Sequence, residues 1–281
     1  MVTVAERVQV AQLTPAERKV VRVLLADYPI RGLEPVAKLA ADAGVSAPTV
    51  LRLVSKLDFD SYAAFQQALK SEVSARLSSP LSMHAVPDQP DAPTESALTR
   101  SQRILCDGIA ASFASLPKAE FEHAVRMLSD SRRGITLIGG RFSSMLAEYL
   151  AAHLRILRPN VRVVAAADRI SSMLDIGRGD VLVAFDYRRY QHDTVRLAMI
   201  AKRQGATLIT FTDPYLSPLA AHADVILTTS VASPSPFDAL TAAVALVETV
   251  IAALVDQLGA TPRERMARYD ALFAGAIEGG M

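Results

Sequence analysis

Residues 36–57 read VAKLAADAGVSAPTVLRLVSKL, and this stretch decides the fold of the N-terminal part. Val36, Leu39 and Ala40 form one apolar stripe at helical spacing, and Val50, Leu53, Val54 and Leu57 form a second. Between them Gly44 offers the left-handed backbone that a tight turn between helices needs. Ala40 is small where two helices must cross closely, and Val45 plugs the corner. Ser46 is a good N-cap residue and Pro48 fits the first turn of a following helix. The spacing predicts a helix-turn-helix with 46–57 as recognition helix. The plain alternative is a helical hairpin with a solvated face.

The outward positions of that helix include Ala47, Pro48, Thr49, Arg52, Ser55 and Lys56. Its N-terminal residues are expected to meet base edges, with Thr49 and Arg52 as readers. Ser46, Ser55 and Lys56 are expected to hold phosphates, and Pro48 completes the DNA-facing set. Asp58 and Asp60 follow closely and repel phosphate unless turned away.

Working outward, residues 1–77 are helical in pattern. Residues 78–95 hold Pro80, Pro87, Pro90 and Pro93 among small polar residues, the composition of a linker. Helical patterns follow over 96–115 and 118–130. From Gly134 the pattern changes: apolar runs at 135–138, 161–165, 181–185, 207–211 and 225–228 alternate with helical stretches. The expected organisation is a head over 1–77, a linker and connecting helix over 78–117, an effector domain over 118–265 and a tail over 266–281. The fold class is an all-α helix-turn-helix domain followed by an α/β three-layer sandwich on a parallel sheet. Such open sheets bind ligands beyond the carboxyl ends of their strands, which directs attention to the loops after Ile138, Phe185 and Phe211.

Composition permits DNA binding without arguing for it. The chain has 281 residues and a formal net charge of +1, and residues 1–79 carry 10 Lys and Arg against 8 Asp and Glu. The single cysteine, Cys106, excludes an internal disulfide framework and fits a reducing cytoplasm. It lies in an apolar run and is read as a small buried hydrophobe rather than a nucleophile. The N-terminus has an early acid and does not read as a signal peptide. The apolar stretch 239–255 is interrupted by Glu248 and falls short of the ~18 uncharged residues of a membrane span, so it is read as a buried helix. Glu248 itself is read as a buried or interface carboxylate with a partner. The five histidines lack metal-ligand spacing, so no metal or other cofactor is expected. Only His192, near the loop after the third strand, stands close to the expected site.

The stretch AGVSAPTVLRLVSKLDFDSYAAFQ, residues 43–66, resembles the head domain of the RpiR family of bacterial regulators. The resemblance rests on Ala43–Ser46, Thr49–Val50, Arg52, Leu57, Phe59 and Tyr62, with Asp58 where the family usually has glycine. Tyr62 and Phe65 are expected in the core of the next helix. The resemblance implies a C-terminal sugar-isomerase (SIS) domain, a five-stranded parallel sandwich that binds phosphosugars, over roughly 126–259. In that frame Gly140 lets backbone approach a ligand, and Ser143 and Ser144 open a helix whose amides can hold an anion. The family usually places a serine-x-serine-glycine loop after the third strand, whereas this chain has Asp186, Tyr187, Arg188, Arg189 and Tyr190. Arginine forks recognise carboxylate or phosphate. Arg141 with Arg188 or Arg189 would form an anion clamp; alternatively the arginines pair with Asp186 or Asp193. Tyr187 or Tyr190 would stack or hydrogen-bond. Thr212 is a ligand candidate, and Ser217 is read chiefly as a cap.

Function is therefore expected to be that of a non-enzymatic, cytoplasmic transcription regulator. Its partners would be a palindromic double-stranded operator, a small anionic effector and further copies of itself, as dimer or tetramer, with no membrane. The long helix over 237–258 and the helix around 104–113 are the expected oligomer surfaces. A sugar-phosphate isomerase is the competing reading, and a DNA-bound structural protein is a third.

Overall fold

The computed structural model describes residues 3–26, 28–77, 95–165, 168–259 and 261–278. The proline-rich linker expected at 78–95 falls almost wholly outside the described residues.

The head consists of α1 (Val4–Val10), α2 (Pro15–Ala26), α3 (Val36–Asp42), α4 (Ala47–Lys56) and α5 (Tyr62–Leu77). A capping box starts α1: the Thr3 hydroxyl accepts from the Glu6 amide, and the Glu6 carboxylate accepts from the Thr3 amide at 2.7 Å. Between α3 and α4 Gly44 takes φ +61, the left-handed turn its position required. Ser46 has the extended backbone of an N-cap, but its hydroxyl does not cap the helix; it lies 3.0 Å from the Thr49 hydroxyl instead. The two stripes read from the sequence close on each other: Leu39, Ala40, Val50, Leu53, Val54 and Leu57 are all buried with Leu24, Phe65 and Leu69. Burying a side chain of this size contributes about 1.5–3 kcal/mol. Asp58 occupies φ +60, a conformation that an aspartate adopts more readily than most residues other than glycine. Tyr62 is half-buried and donates to the Glu34 carbonyl at 2.7 Å, while Phe65 is fully in the core.

After α6 (Ala97–Ser115) and α7 (Lys118–Ser129) the chain enters a five-stranded sheet. Its strands are β1 (Ile135–Gly139), β2 (Val161–Val163), β3 (Val181–Phe185), β4 (Thr207–Thr212) and β5 (Val225–Thr228), in the order β2-β1-β3-β4-β5 and all parallel. Helices α8 (Ser144–Leu157) and α10 (Thr241–Leu258) join α7 over one face, on Leu137, Val183, Phe185, Ile209 and Phe211. Helix α9 (His192–Arg203) covers the other face through Leu197, Ala198 and Ala201, on Leu182, Ala184 and Leu208. A sheet clad on both sides explains why its strands read as continuous apolar runs.

Several expectations change. Two of the stretches between strands, whose 170–174 and 218–223 portions have a helical pattern, fold there only as short 3-10 turns, Ser171–Met173 and Pro218–Ala221. The stretch left as a tail from 266 belongs to a helix, α11 (Thr261–Glu278). Cys106 is exposed on α6, whose buried residues are Gly108 and Ser112 and not the apolar run around the cysteine. Glu248 is also exposed, and accepts from the Tyr149 hydroxyl at 3.0 Å. Helix α10 is long and apolar enough to cross a membrane by length and composition, yet Ala243, Leu246, Val247, Val250 and Leu254 are buried in the sandwich.

Candidate functional site

The strand order fixes where a ligand can enter. From β1 the chain turns to β2 on one side, and from β3 it turns to β4 on the other, so the loops after β1 and β3 diverge and leave a crevice. A cavity of about 400 Å³ lies there, within the size range of small-molecule sites. Gly140, Arg141, Phe142 and Ser143 line it from the β1 loop, Asp186–Arg189 and Gln191 from the β3 loop, and Phe237, Asp238 and Leu240 from the segment before α10.

Its polar groups divide into committed and free. The Ser143 hydroxyl donates to the Phe185 carbonyl at 2.7 Å and accepts from the Gly140 amide at 2.9 Å, tying the β1 loop to the end of β3. Asp186 is buried; it accepts from the Ser217 hydroxyl and from the Gln191 amide. Burial pushes its carboxyl up to about 6, against the pull of those two donors. Tyr187 is buried with its hydroxyl 2.9 Å from that of Thr229, and burial raises its pKa as well. Arg188 forms a largely buried ion pair with Asp238 and lies over the Tyr215 ring, 5.8 Å from its centroid. Desolvation works against its charge, and Asp238 more than restores it. Arg141 and Arg189 are exposed at the cavity, and neither has an ion pair among the described residues. Arg189 is held at φ +63, an unfavourable backbone state for arginine of the kind that gathers at functional sites.

The loop after β4 is fastened to this floor. Tyr190 donates to Asp213 at 2.9 Å, the Tyr215 amide donates to the same carboxylate oxygen, and the Ser217 amide donates to Thr212 at 3.0 Å. At its crest Leu216 takes φ +59 and is buried in the hydrophobic cluster of the head, with Ala220 packed alongside. The cavity and the head thus share one loop.

On α4 the exposed residues are Pro48, Leu51, Arg52, Ser55 and Lys56, opposite the buried arc of Thr49, Val50, Leu53 and Val54. Thr49 is 8% exposed and accepts from Arg52 at 3.2 Å, so it braces the arginine. Lys56 donates to Glu17 at 2.6 Å and to the Gln12 carbonyl at 3.2 Å. Burial alone would raise the Glu17 pKa, but Lys56 and Thr14 hold the carboxyl below its ordinary value. The Asp58 side chain is exposed just beyond α4, 4.0 Å from Arg7, which also donates to the Leu57 and Asp58 carbonyls.

Two family models match: the helix-turn-helix domain of the rpiR family over residues 4–76 and the SIS domain over 127–253. The chain joins the helix-turn-helix domain of the rpiR family to a SIS domain. Among curated relatives it is 29% identical over 224 residues to the bifunctional protein glk of Burkholderia mallei, a match that covers 77% of this chain. The chain spans about a third of the length of that relative. It is 26% identical over 226 residues to the HTH-type transcriptional regulator HexR of Escherichia coli, covering 79% of this chain and 75% of HexR. Among solved structures, the NanR protein of Vibrio vulnificus, complexed with ManNAc-6P, superposes with TM-score 0.56 at 17% identity over 94% of both chains. The sugar isomerase domain of an RpiR transcription factor from Sphaerobacter thermophilus superposes with TM-score 0.58 at 18% identity, over 62% of this chain and 98% of that one. Both likenesses bear on the fold.

Within the RpiR frame, the residues singled out from sequence separate spatially. Gly140, Arg141, Ser143, Asp186, Tyr187, Arg188 and Arg189 meet at the cavity, while Ser144, Tyr190 and Thr212 stand outside its lining. Arg188 pairs with Asp238 and not with Asp186 or Asp193, because the segment before α10 folds back across the β3 loop. His192 opens α9 beside the cavity without lining it. Phe142, Met145, Gln191, Phe237, Asp238 and Leu240 also line the cavity. No local pattern marks Asp238, fifty positions from its partner, whereas Phe142 directly follows Arg141 and was within reach of the sequence argument.

Proposed function

We propose that this protein is a cytoplasmic transcription regulator whose SIS domain binds a small anionic metabolite and thereby changes how the head binds DNA. One observation carries the reading. The β4 loop is hydrogen-bonded to Asp186 in the cavity and to Tyr190 beside it, and it buries Leu216 in the core of the DNA-reading head. A ligand that moves the β3 loop acts on the seat of the head, which is the differential contact that a population shift requires.

In this reading Arg52 reads bases while Pro48, Ser46 and Ser55 lie against the duplex, Thr49 braces Arg52, and Lys56 ties the end of α4 to Glu17. The effector anion meets Arg141 and Arg189. The relatives' names support regulation, and the ManNAc-6P bound to NanR supports a small anionic ligand. Asp186, the fully buried carboxylate on the cavity floor, has both oxygens engaged, and Asp238 is paired with Arg188, which argues against an acid/base role and so against an isomerase.

The protein acts as a homodimer or tetramer on a palindromic operator, with half-sites about 34–36 Å apart or a multiple of that. Exposed Met266, Tyr269, Leu272 and Phe273 on α11, with Leu98 and Phe113 on α6, supply the apolar contact surface. On α10 the residues Ala242, Ala243, Leu246, Val247, Val250 and Leu254 are already buried within the protomer.

The test is selection of binding sites from a random double-stranded DNA library by the full chain, followed by titration of the selected site. Enrichment of a two-fold symmetric sequence, lost in Arg52→Ala, supports the reading. No enrichment over non-specific binding overturns it.

A further inference from the structure

The cavity offers different surroundings to the two ends of a ligand: its free cations and its rim differ in kind. Only Arg141 and Arg189 supply uncommitted positive charge to it among the described residues, since Arg188 is neutralised by Asp238. Three N–H groups at the loop turns are withdrawn from a multi-oxygen anion by bonds within the protein. Gly140 donates to the Ser143 hydroxyl and Phe185 carbonyl, Ser144 to the Gly140 carbonyl, and Gln191 to Asp186. A two-oxygen anion fits one guanidinium fork without further donors.

The rim is apolar. Phe142, Met145 and Phe237 are large side chains left 55%, 68% and 59% exposed, and all three border the cavity together with Leu240. The Arg141 guanidinium lies 5.4 Å from the Phe142 ring centroid, so charge and aromatic surface are presented side by side. A polyhydroxylated ligand would set its hydroxyls against carbon there and leave them without partners. A ligand with an apolar body would cover the three exposed side chains while its anionic end met the arginines.

We infer that the effector is an organic carboxylate with an apolar or aromatic body, its carboxylate on Arg189 and Arg141 and its body against Phe142, Met145 and Phe237. This rests on the regulator reading and names its ligand class. Selectivity then resides in the rim, and Phe237 and Phe142 are specificity-determining residues.

The test uses the full chain, with melting temperature and calorimetric titration as readouts. Benzoate, phenylacetate and hexanoate form one panel; glucose 6-phosphate, ribose 5-phosphate and inorganic phosphate form the other. At least one carboxylate is expected to bind at least tenfold more tightly than every phosphate. Its affinity should fall about tenfold or more in Arg189→Ala and in Phe237→Ser, two exposed positions whose replacement leaves the melting temperature of the free protein near that of the parent. Tighter binding of a sugar phosphate, absence of any carboxylate binding at ~10 mM, or unchanged affinity in Phe237→Ser overturns the inference. The selected DNA site separates the two levels. A sugar phosphate that alters DNA binding leaves the regulator reading standing and removes the carboxylate. A carboxylate that binds without altering DNA affinity does the reverse.

Discussion

Ser217 donates its hydroxyl to Asp186 on the cavity floor, and the residue beside it, Leu216, is buried in the core of the head. Two adjacent residues thus reach the cavity floor and the core of the head. Leu216 holds this position at φ +59, so its burial compensates for an unfavourable backbone state.

Leu216→Ala is expected to loosen the head from the α/β domain. Removing a buried leucine costs about 2–5 kcal/mol, and here the loss falls on the contact between domains. Scanning calorimetry of the variant should show the head melting earlier and apart, while the α/β transition moves little. A single transition at the parent temperature would count against this coupling.

Asp186 should make stability depend on pH in a defined window. Its carboxyl is raised to about 6 in the folded protein from an ordinary 3.8, so the folded state holds this proton more tightly than the unfolded state does. The stabilisation is full below about pH 4 and disappears as pH rises through about 6, a change of about 3 kcal/mol at most. Asp186→Asn lacks that titration. The difference in urea midpoint between the variant and the parent should shift in the variant's favour from pH 4.5 to pH 7.5. An anionic effector should also bind more tightly at pH 5 than at pH 8, because a neutral Asp186 does not repel it. A pH-independent difference in midpoint would show that Asp186 titrates normally.

The two cations at the outer end of α4 should behave differently. Arg52→Ala is expected to cost about 1–3 kcal/mol of binding to the selected DNA site and to relax preference at one base position. Lys56→Met should instead destabilise the head above the pKa of Glu17, because that buried carboxylate loses the partner that keeps it charged. Anisotropy titrations and denaturant curves of the two variants separate these outcomes. A larger DNA effect from Lys56→Met than from Arg52→Ala would reverse the assignment.

Much of this was legible because helices and strands write periodic patterns. The stripes of α3 and α4 and the apolar runs of β1, β3 and β5 follow from burial on one face or on both. The cavity residues of the β1 and β3 loops were reachable through the rule for open parallel sheets. What escaped has no local pattern. Asp238 answers Arg188 only because the segment before α10 crosses the β3 loop, and Leu216 looks like any turn residue until its side chain is followed into another domain. Thr49 misled through its neighbours: its position at the edge of the buried arc of α4 turns a polar side chain inward.

Adjacent Arg188 and Arg189 offer the sharpest contrast. Arg188 and Asp238 form an ion pair largely removed from water, and deleting one member leaves the other charge buried. Arg188→Met is therefore expected to cost about 3–5 kcal/mol of stability, and Asp238→Asn a comparable amount. The double variant should lose less than the sum, since neither charge is then stranded. Arg189 is exposed, without an ion-pair partner among the described residues, and strained at φ +63. Glycine accepts that backbone without strain, although it leaves a more flexible unfolded chain. Arg189→Gly should thus keep the stability within about 0.5 kcal/mol of the parent, yet weaken anion binding. Denaturant unfolding of the five proteins, run beside titration of the bound anion, reads both effects. Equal losses of stability at 188 and 189 would mean that the second arginine holds the loop together and does not await a ligand.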